Sequence, residues 1–408
     1  MKYNADTVCL ASWFQLRNSS DNILKCCCQL EAHQTDFKSD SEIAIDIDNV
    51  QPNNEYLMYV RKSLTDGVKL NECSKCWRSE SSGIKSLRQQ LNDMFTGSRG
   101  LDQSWFSSYM KNKSDYRQDV LLSADLSILN LCNYSCAMCV PHASSKIYSI
   151  WKKNLENEFV KAELDQDPAL LDNVKQNFMS GVNYRLLQTM FDHNVRYLKI
   201  LGGEPLMDEK LLQMLDNYNN QQNCHLHFVT NGSYSISEVS KRFANYKKVT
   251  FNVSIDGTEQ VQDFIRRGSN WKQVEKNVLD FGNTDITVHC TVQALNFVHL
   301  YKLAAWCQTH ELKLSLGILE DPLYMKLDLL PENLIEQGIQ AMLPYVDCLI
   351  TEEQDTGTQN QIFNFRKFIL ENYTPDFKLH AQLKRYLNWY DGSQDWQKIL
   401  PEWNSLLR

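Results

Sequence analysis

The chain has 408 residues, enough for two or three domains or for one large barrel with additions, and its 43% hydrophobic and 11% aromatic content supports a sizeable core. Its formal net charge of −8 excludes a general nucleic-acid binder, because phosphate neutralisation needs a basic surface. No apolar run reaches membrane-spanning length, and the start, Met1 to Leu10, lacks the apolar core of a signal peptide, so the expected compartment is a reducing cytoplasm. Thirteen cysteines in such a chain favour metal or catalytic roles over disulfides.

Residues 1–100 are turn-rich and carry Cys9, the triplet Cys26-Cys27-Cys28, and the pair Cys73-Ser-Lys-Cys76. Residues 121–131 read as a strand running into a loop with Cys132, Cys136 and Cys139. Residues 142–195 read as helical and are long for one crossover. Apolar runs then recur at 197–201, 226–229, 249–255, 286–292 and 312–319, with helical stretches between them. Strands alternating with helices imply βαβ units and a parallel sheet. The expected fold class is therefore α/β, a partial (β/α)6 TIM-like barrel over 120–325. It has a cysteine-rich N-terminal module over 1–100 and a helical C-terminal extension over 326–408. Trp389, Tyr390, Trp396 and Trp403 in that extension are expected to pack.

The spacing CxxxCxxC puts three thiolates on one short loop. Thiolate is the ligand that iron–sulfur clusters take, and three of them hold three corners of a cubane, leaving one iron open for chemistry. Structural zinc, with His142 as fourth ligand, is the competing reading. The expected strand ends carry polar and glycine-rich turns: Gly202-Gly203-Glu204-Pro205, Thr230-Asn231-Gly232, Ser254-Ile255-Asp256-Gly257 with Arg266 beyond it, and Gln293. Two glycines let backbone approach a ligand closely, and a glutamate offers a carboxylate to an ammonium group. Each turn alone is ordinary. In a barrel of this kind the C-terminal strand ends carry the chemistry.

Taken in this order, the three-cysteine loop followed by Gly202-Gly203-Glu204 resembles the radical S-adenosylmethionine superfamily over residues 120–325. The resemblance implies a 4Fe–4S cluster on Cys132, Cys136 and Cys139, with S-adenosylmethionine on the open iron. It implies reductive cleavage to a 5′-deoxyadenosyl radical that takes a hydrogen atom from substrate. Gly202, Gly203 and Glu204 would approach the methionine amino group. Ser254 and Arg266 would serve its carboxylate or ribose, as would Asn231 and Gln293. Met138 stands where the family often has an aromatic residue.

The N-terminal order of one cysteine, a hairpin turn, a second cysteine and a CxxC pair resembles the SPASM/twitch auxiliary-cluster modules, here placed before the barrel. Asn22 stands where those modules have a glycine, which selects Cys27 from the triplet. The stretch Ser82–Arg88 is similar to the N-terminal extension of twitch-type proteins. The implied site is a second 4Fe–4S cluster on Cys9, Cys27, Cys73 and Cys76; a structural zinc on the same thiolates is the competing reading. The resemblance further implies an oxidoreductase-like enzyme with a low-potential donor of flavodoxin or ferredoxin type. Its substrate would be a ribosomal peptide or another small molecule, oxidised or cross-linked with the auxiliary cluster as acceptor. The competing readings are a redox-neutral epimerase or rearrangement enzyme on a sugar or nucleotide, and a catalytically silent iron–sulfur scaffold. Two further residues have minor functional readings. Cys290 could donate a hydrogen atom to a product radical, against plain core packing, and Tyr324 could line the substrate mouth.

Overall fold

The computed structural model describes residues 3–18, 24–31, 37, 52–81, 85–96, 103–179, 182–350, 358–392 and 395–407. Its strands are β1 (Gln15–Asn18), β2 (Leu24–Lys25), β3 (Ser123–Ser127), β4 (Tyr197–Leu201), β5 (His225–Thr230), β6 (Lys248–Ser254), β7 (Asp285–Val292) and β8 (Lys313–Ile318). They form one eight-stranded sheet in the order β2-β1-β3-β4-β5-β6-β7-β8. Only β1 and β2 run antiparallel; every other pair is parallel. From β3 to β8 each strand lies beside the next in chain order with helices between, the winding of a TIM-like barrel. The fold is α/β, a partial barrel with a helical C-terminal extension, and all six expected barrel strands are present within a few residues of their expected bounds.

Alternation along the strands separates two faces. Leu198, Ile200, Leu226, Phe228, Val253, Val288 and Leu314 are fully buried. Phe228 marks this as the helix-covered face, since its ring lies 5.5 Å from Phe243, just past helix Ile236–Arg242, and 5.6 Å from Phe251. The opposite face carries Lys199, His227, Asn252 and His289, all half-buried. The concave side of the barrel is therefore polar, which suits a binding cavity more than a packed core.

The long segment between β3 and β4 folds as helices Ser145–Lys153, Glu158–Leu164, Leu170–Met179 and Val182–Asp192. Local caps set their starts: Ser144 Oγ accepts from Ile147 N, and Asn157 Oδ1 accepts from Phe159 N. In the C-terminal extension, helix His380–Asp391 buries Leu383, Tyr386, Leu387 and Tyr390, the i, i+3, i+4, i+7 stripe of a helix with one covered face. That helix packs on helix Glu158–Leu164, with Phe159 stacked 5.3 Å from Trp389 and edge-on 5.0 Å from Tyr386. Tyr324 joins the same group, 5.4 Å from Phe159, and is buried. It is thus part of the aromatic packing rather than the lining of a mouth.

The N-terminal segment is part of the sheet. β1 adds beside β3 with Gln15 opposite Ser123 and Arg17 opposite Asp125, and the two charged side chains form an ion pair. β1 and β2 supply the hairpin strands expected between Cys9 and Cys27; Asn22 lies outside the described residues. Residues 82–84 of the stretch similar to the twitch extension also lie outside them.

Candidate active site at the strand ends

The loop after β3 is held from several sides before any ligand is considered. Gly203 N donates to Leu129 O (2.9 Å) and Glu204 N to Leu131 O (2.7 Å), so the turn after β4 runs against the start of the cysteine loop. A Cβ on Gly203 would stand 2.3 Å from Leu131 O, and one on Gly202 2.4 Å from Leu129 O. Gly202 also has φ +144°, a conformation glycine adopts freely. The close approach these glycines permit is to the loop backbone. Ser135 N donates to Arg267 O (2.8 Å) and Ala137 N to Ile265 O (2.7 Å), which fastens the far side of the loop to the chain after β6. From the C-terminal helix, the Tyr386 hydroxyl donates to Ala137 O (2.6 Å), and the Tyr390 hydroxyl lies 2.9 Å from Ser135 O.

Within this frame Cys136 is buried, and Cys132 and Cys139 are half-buried. Burial pushes the Cys139 thiol up to about 12, with Cys132 adding to it. Cys136 is likewise raised, by burial first, with Arg266 opposing and Cys139 and Cys132 reinforcing. The three thiols lie within electrostatic reach of one another, a donor set that needs a cationic occupant to become three thiolates.

The other expected residues gather at the same end of the parallel strands. Glu204 is 1% exposed, and its carboxylate accepts from Leu206 N (3.1 Å), Thr230 Oγ1 (2.9 Å) and Asn231 N (2.7 Å). Burial still raises it to about 7, against those hydrogen bonds. Asn231 Nδ2 donates to Asn133 Oδ1 (2.8 Å), tying the β5 end to the cysteine loop. Arg266 is buried and ion-paired with Asp256 (2.8 Å), whose other oxygen accepts from Thr291 N (2.9 Å). Ser254 sits on the polar face opposite His289. Gln293 is fully buried, and neither side-chain amide atom has a partner. A buried amide without partners costs a few kcal/mol unless a ligand meets it. The thiols are of the chemistry an iron–sulfur cluster takes, and the Gln293 amide is free to meet a polar ligand, although as the side chains stand the described residues form no closed metal-holding group.

The N-terminal cysteines converge although they come from three places in the chain. Cys9 caps a short helix, Cys27 follows β2, and Cys73 and Cys76 lie around the start of helix Ser74–Ser81. Cys9 is raised to about 12 by burial, then by Cys27 and Cys76. Cys73 is raised by burial, then by Cys27, Cys9 and Cys76. Cys26 joins the group, and Cys28 is exposed. Cys27 alone goes down, to about 7, because Cys26 hydrogen-bonds to it and the Gln29 and Leu30 amides and Arg17 favour its thiolate against burial. That makes it the best thiolate of the triplet. Among the described residues no group of three or more His, Cys, Asp or Glu side chains is gathered closely enough to hold a metal ion, so these thiols stand within electrostatic reach of one another and not as a formed ligand set.

Sequence reasoning missed four features here. The Arg17–Asp125 pair and the Tyr386 and Tyr390 hydroxyls join residues far apart in the chain, and the Asp256–Arg266 pair spans ten residues across the turn after β6 and the helix Glu259–Ile265. The polar row Lys199, His227, Asn252 and His289 was readable as every-second-residue alternation. Cys290 lies on the helix-covered face, fully buried near Cys307, so it packs in the core.

Residues 126–297 match the Radical SAM superfamily. No curated protein matches the chain. Among solved structures, native anSMEcpe with bound AdoMet is 17% identical, covering 62% of this chain and 63% of its own, with TM-score 0.35. Streptococcus suis SuiB bound to S-adenosylmethionine is 13% identical, covering 80% of this chain and 66% of its own, with TM-score 0.36. The chain thus spans just under two thirds of the length of each. The cysteine loop, the glycine turn and the strand ends from β3 to β7 all lie in the segment that matches the Radical SAM superfamily.

Proposed function

We propose that the protein is an enzyme that reductively cleaves S-adenosylmethionine at the loop Cys132–Cys139 and takes a hydrogen atom from a substrate. The observation that carries this reading is the three-thiol loop after β3, braced by backbone contacts on both sides, at the same end of the parallel sheet as the partnerless amide of Gln293 after β7. When bound, the 4Fe–4S cluster and S-adenosylmethionine supply one-electron cleavage and radical chemistry. Cys132, Cys136 and Cys139 hold the cluster. Gly202, Gly203 and Glu204 border the methionine amino group; Ser254, Arg266, Asn231 and Gln293 hold the carboxylate and ribose. The Tyr386–Tyr390 helix and the buried Asp256–Arg266 pair keep water from that end of the barrel.

We assign residues 1–100 as an auxiliary module of SPASM/twitch type, 120–325 as the catalytic barrel and 326–408 as its helical cover. The auxiliary site is a second 4Fe–4S cluster on Cys9, Cys27, Cys73 and Cys76. Those four thiols would hold that cluster, which would supply one-electron acceptor chemistry for the oxidation or cross-linking of a ribosomal peptide or other small molecule. The supporting observations are the convergence of these thiols and the attachment of β1 to β3, which brings them to the edge of the polar barrel face.

Anaerobically reconstituted protein with dithionite and S-adenosylmethionine is expected to yield 5′-deoxyadenosine, with iron and sulfide each near eight per chain (~4 per cubane). Replacing Cys132, Cys136 and Cys139 with alanine is expected to abolish cleavage and leave the N-terminal metal in place. No 5′-deoxyadenosine from protein with a spectroscopically verified cluster would sink the radical reading. About four iron plus one zinc would sink the second cluster.

A further inference from the structure

Most polar side chains on the concave face of the barrel are already committed to one another. His225 Nε2 and His227 Nδ1 both lie 2.7 Å from Thr250 Oγ1, and the Tyr197 ring stands 4.9 and 6.2 Å from the two imidazoles. His289 Nδ1 lies 3.3 Å from Ser315 Oγ. Asp125, opposite Lys199 in the strand register, has its charge balanced by Arg17 on its other side. Lys199 is the exception. Its side chain is half-buried, yet among the described residues no hydrogen bond or ion pair takes up its ammonium, not even from Asp125 beside it.

That ammonium is directed into the open centre of the barrel. Burial lowers the His289 ring, with Asp256 opposing and Arg266 and Lys199 reinforcing. β5 and β6 separate Lys199 on β4 from His289 on β7, so the influence of Lys199 crosses the concave space. A lowered His289 is neutral near pH 7. Lys199 is then the one lysine or arginine among the buried and half-buried residues of this face without a carboxylate partner. A half-buried ammonium is stabilised by an anion brought to it, and one positive charge matches a carboxylate better than a phosphate carrying nearly two negative charges.

A second unmet group stands close by. The Asn252 side-chain oxygen is buried without a hydrogen-bond partner, and an amide oxygen in that state asks for an N–H donor. The register aligns Lys199 with His227 and His227 with Thr250, and Asn252 lies two residues further along β6, one layer nearer the cysteine loop. A ligand that meets both groups therefore carries an anion deep in the barrel and an N–H above it. An acidic residue of a peptide has both, in its side chain and its backbone.

We propose that Lys199 anchors a carboxylate of the substrate and that the Asn252 oxygen takes an N–H of the same residue, so that the barrel selects a peptide segment carrying an acidic side chain. The inference rests on the reading of the barrel as the substrate chamber of the radical reaction. Lys199 and Asn252 set specificity: they hold the substrate and take no part in hydrogen transfer.

The test uses full-length reconstituted protein with S-adenosylmethionine and no reductant. The probes are the matched tripeptides acetyl-Ala-Glu-Ala-amide, acetyl-Ala-Gln-Ala-amide and acetyl-Ala-phosphoserine-Ala-amide. Calorimetry is expected to show the glutamate peptide binding about tenfold or more tighter than the glutamine peptide, the effect of a charge-assisted contact, and tighter than the phosphoserine peptide. Lys199→Gln should erase the preference for glutamate and Lys199→Arg should keep it. Asn252→Asp puts a like charge one layer from the carboxylate, so it should weaken glutamate binding and spare the glutamine peptide; it carries the test if Lys199→Gln does not fold. Four results overturn the proposal: no glutamate peptide bound by the wild type, equal binding of the glutamate and glutamine peptides, a preference that survives unchanged in either folded variant, or tightest binding of the phosphoserine peptide. Absence of 5′-deoxyadenosine from the wild type with dithionite instead defeats the radical reading and leaves a carboxylate preference standing.

Discussion

Tyr390→Phe isolates one hydroxyl at the back of the cysteine loop. The ring keeps its packing, 5.3 Å from Tyr386 and 5.8 Å from Phe264, so no cavity forms. What leaves is an oxygen 2.9 Å from Ser135 O and 3.0 Å from Phe264 O, which also accepts from Arg267 N (3.3 Å). The oxygen has one proton, so it satisfies one carbonyl at a time, and its loss strands a buried carbonyl and a backbone amide. That costs about 1–3 kcal/mol. Spread over the whole chain it is a shift of a degree or two in Tm. Concentrated on the loop it is large: local opening becomes roughly ten- to a hundredfold more frequent. Hydrogen exchange on the metal-free protein reads this directly. The amides of Ser135 and Ala137, which donate to Arg267 and Ile265, should exchange faster in the variant, while those of β5 and β6 stay protected. If Ser135 and Ala137 exchange as in the wild type, the hydroxyl does not brace the loop and Tyr390 only packs.

Three other outcomes follow from the same geometry. Gly203→Ala should destabilise the protein by about 3 kcal/mol or more, because its Cβ would meet backbone oxygens at 2.3 and 2.6 Å; Gly282→Ala, with nothing within 4 Å but φ +55°, should cost only about 1 kcal/mol in urea unfolding. Glu204 titrates near 7 in the folded protein against an ordinary value of 4.5, so the folded state holds that proton more tightly than the unfolded one. Stability of the metal-free protein should then fall as pH rises from about 4.5 to about 7, by on the order of 3 kcal/mol, and Glu204→Gln should remove that slope in urea unfolding at stepped pH. Finally, Cys27→Ser should release N-terminal iron or zinc, and Cys28→Ser should not, when metal is counted in the background lacking Cys132, Cys136 and Cys139.

The sequence disclosed whatever rests on short-range pattern. The barrel strands came from apolar runs punctuated by glycine and asparagine, and the cysteine loop from spacing alone. The paired strands between Cys9 and Cys27 were expected from the resemblance to the auxiliary modules. The braces of the site were not, because they join positions remote in the chain: Tyr390 with Ser135, Arg17 with Asp125, Arg61 with the carbonyls of Ser12 and Tyr116. Nothing in the local sequence of helix His380–Asp391 separates a tyrosine that packs from one whose hydroxyl reaches another segment. The glycines show a different limit. Gly202 and Gly203 were legible as positions of close backbone approach, but the sequence could not say what they approach, and in the fold it is the 129–131 backbone.

The attachment of β1 to β3 decides how the two thiol groups relate. Arg17 faces Asp125 across that pairing, and Cys28 lies close enough to both, and to Lys199, for their charges to act on its thiol. Cys28, next to Cys27, is therefore near the polar face of the barrel at β1, β3 and β4. The loop thiols close the C-terminal end of the same strands. A substrate on the polar face would lie between the two groups, with Lys199, His227 and His289 beneath it. Under the proposed reading, a reaction that must remove a second electron after hydrogen abstraction would use the N-terminal site as its acceptor. A redox-neutral reaction would need no acceptor there. Replacing Cys9 and Cys73 with serine distinguishes the two: 5′-deoxyadenosine formation by the loop should continue, and turnover of an oxidised or cross-linked product should stop. Continued product formation without the N-terminal metal would make that site structural.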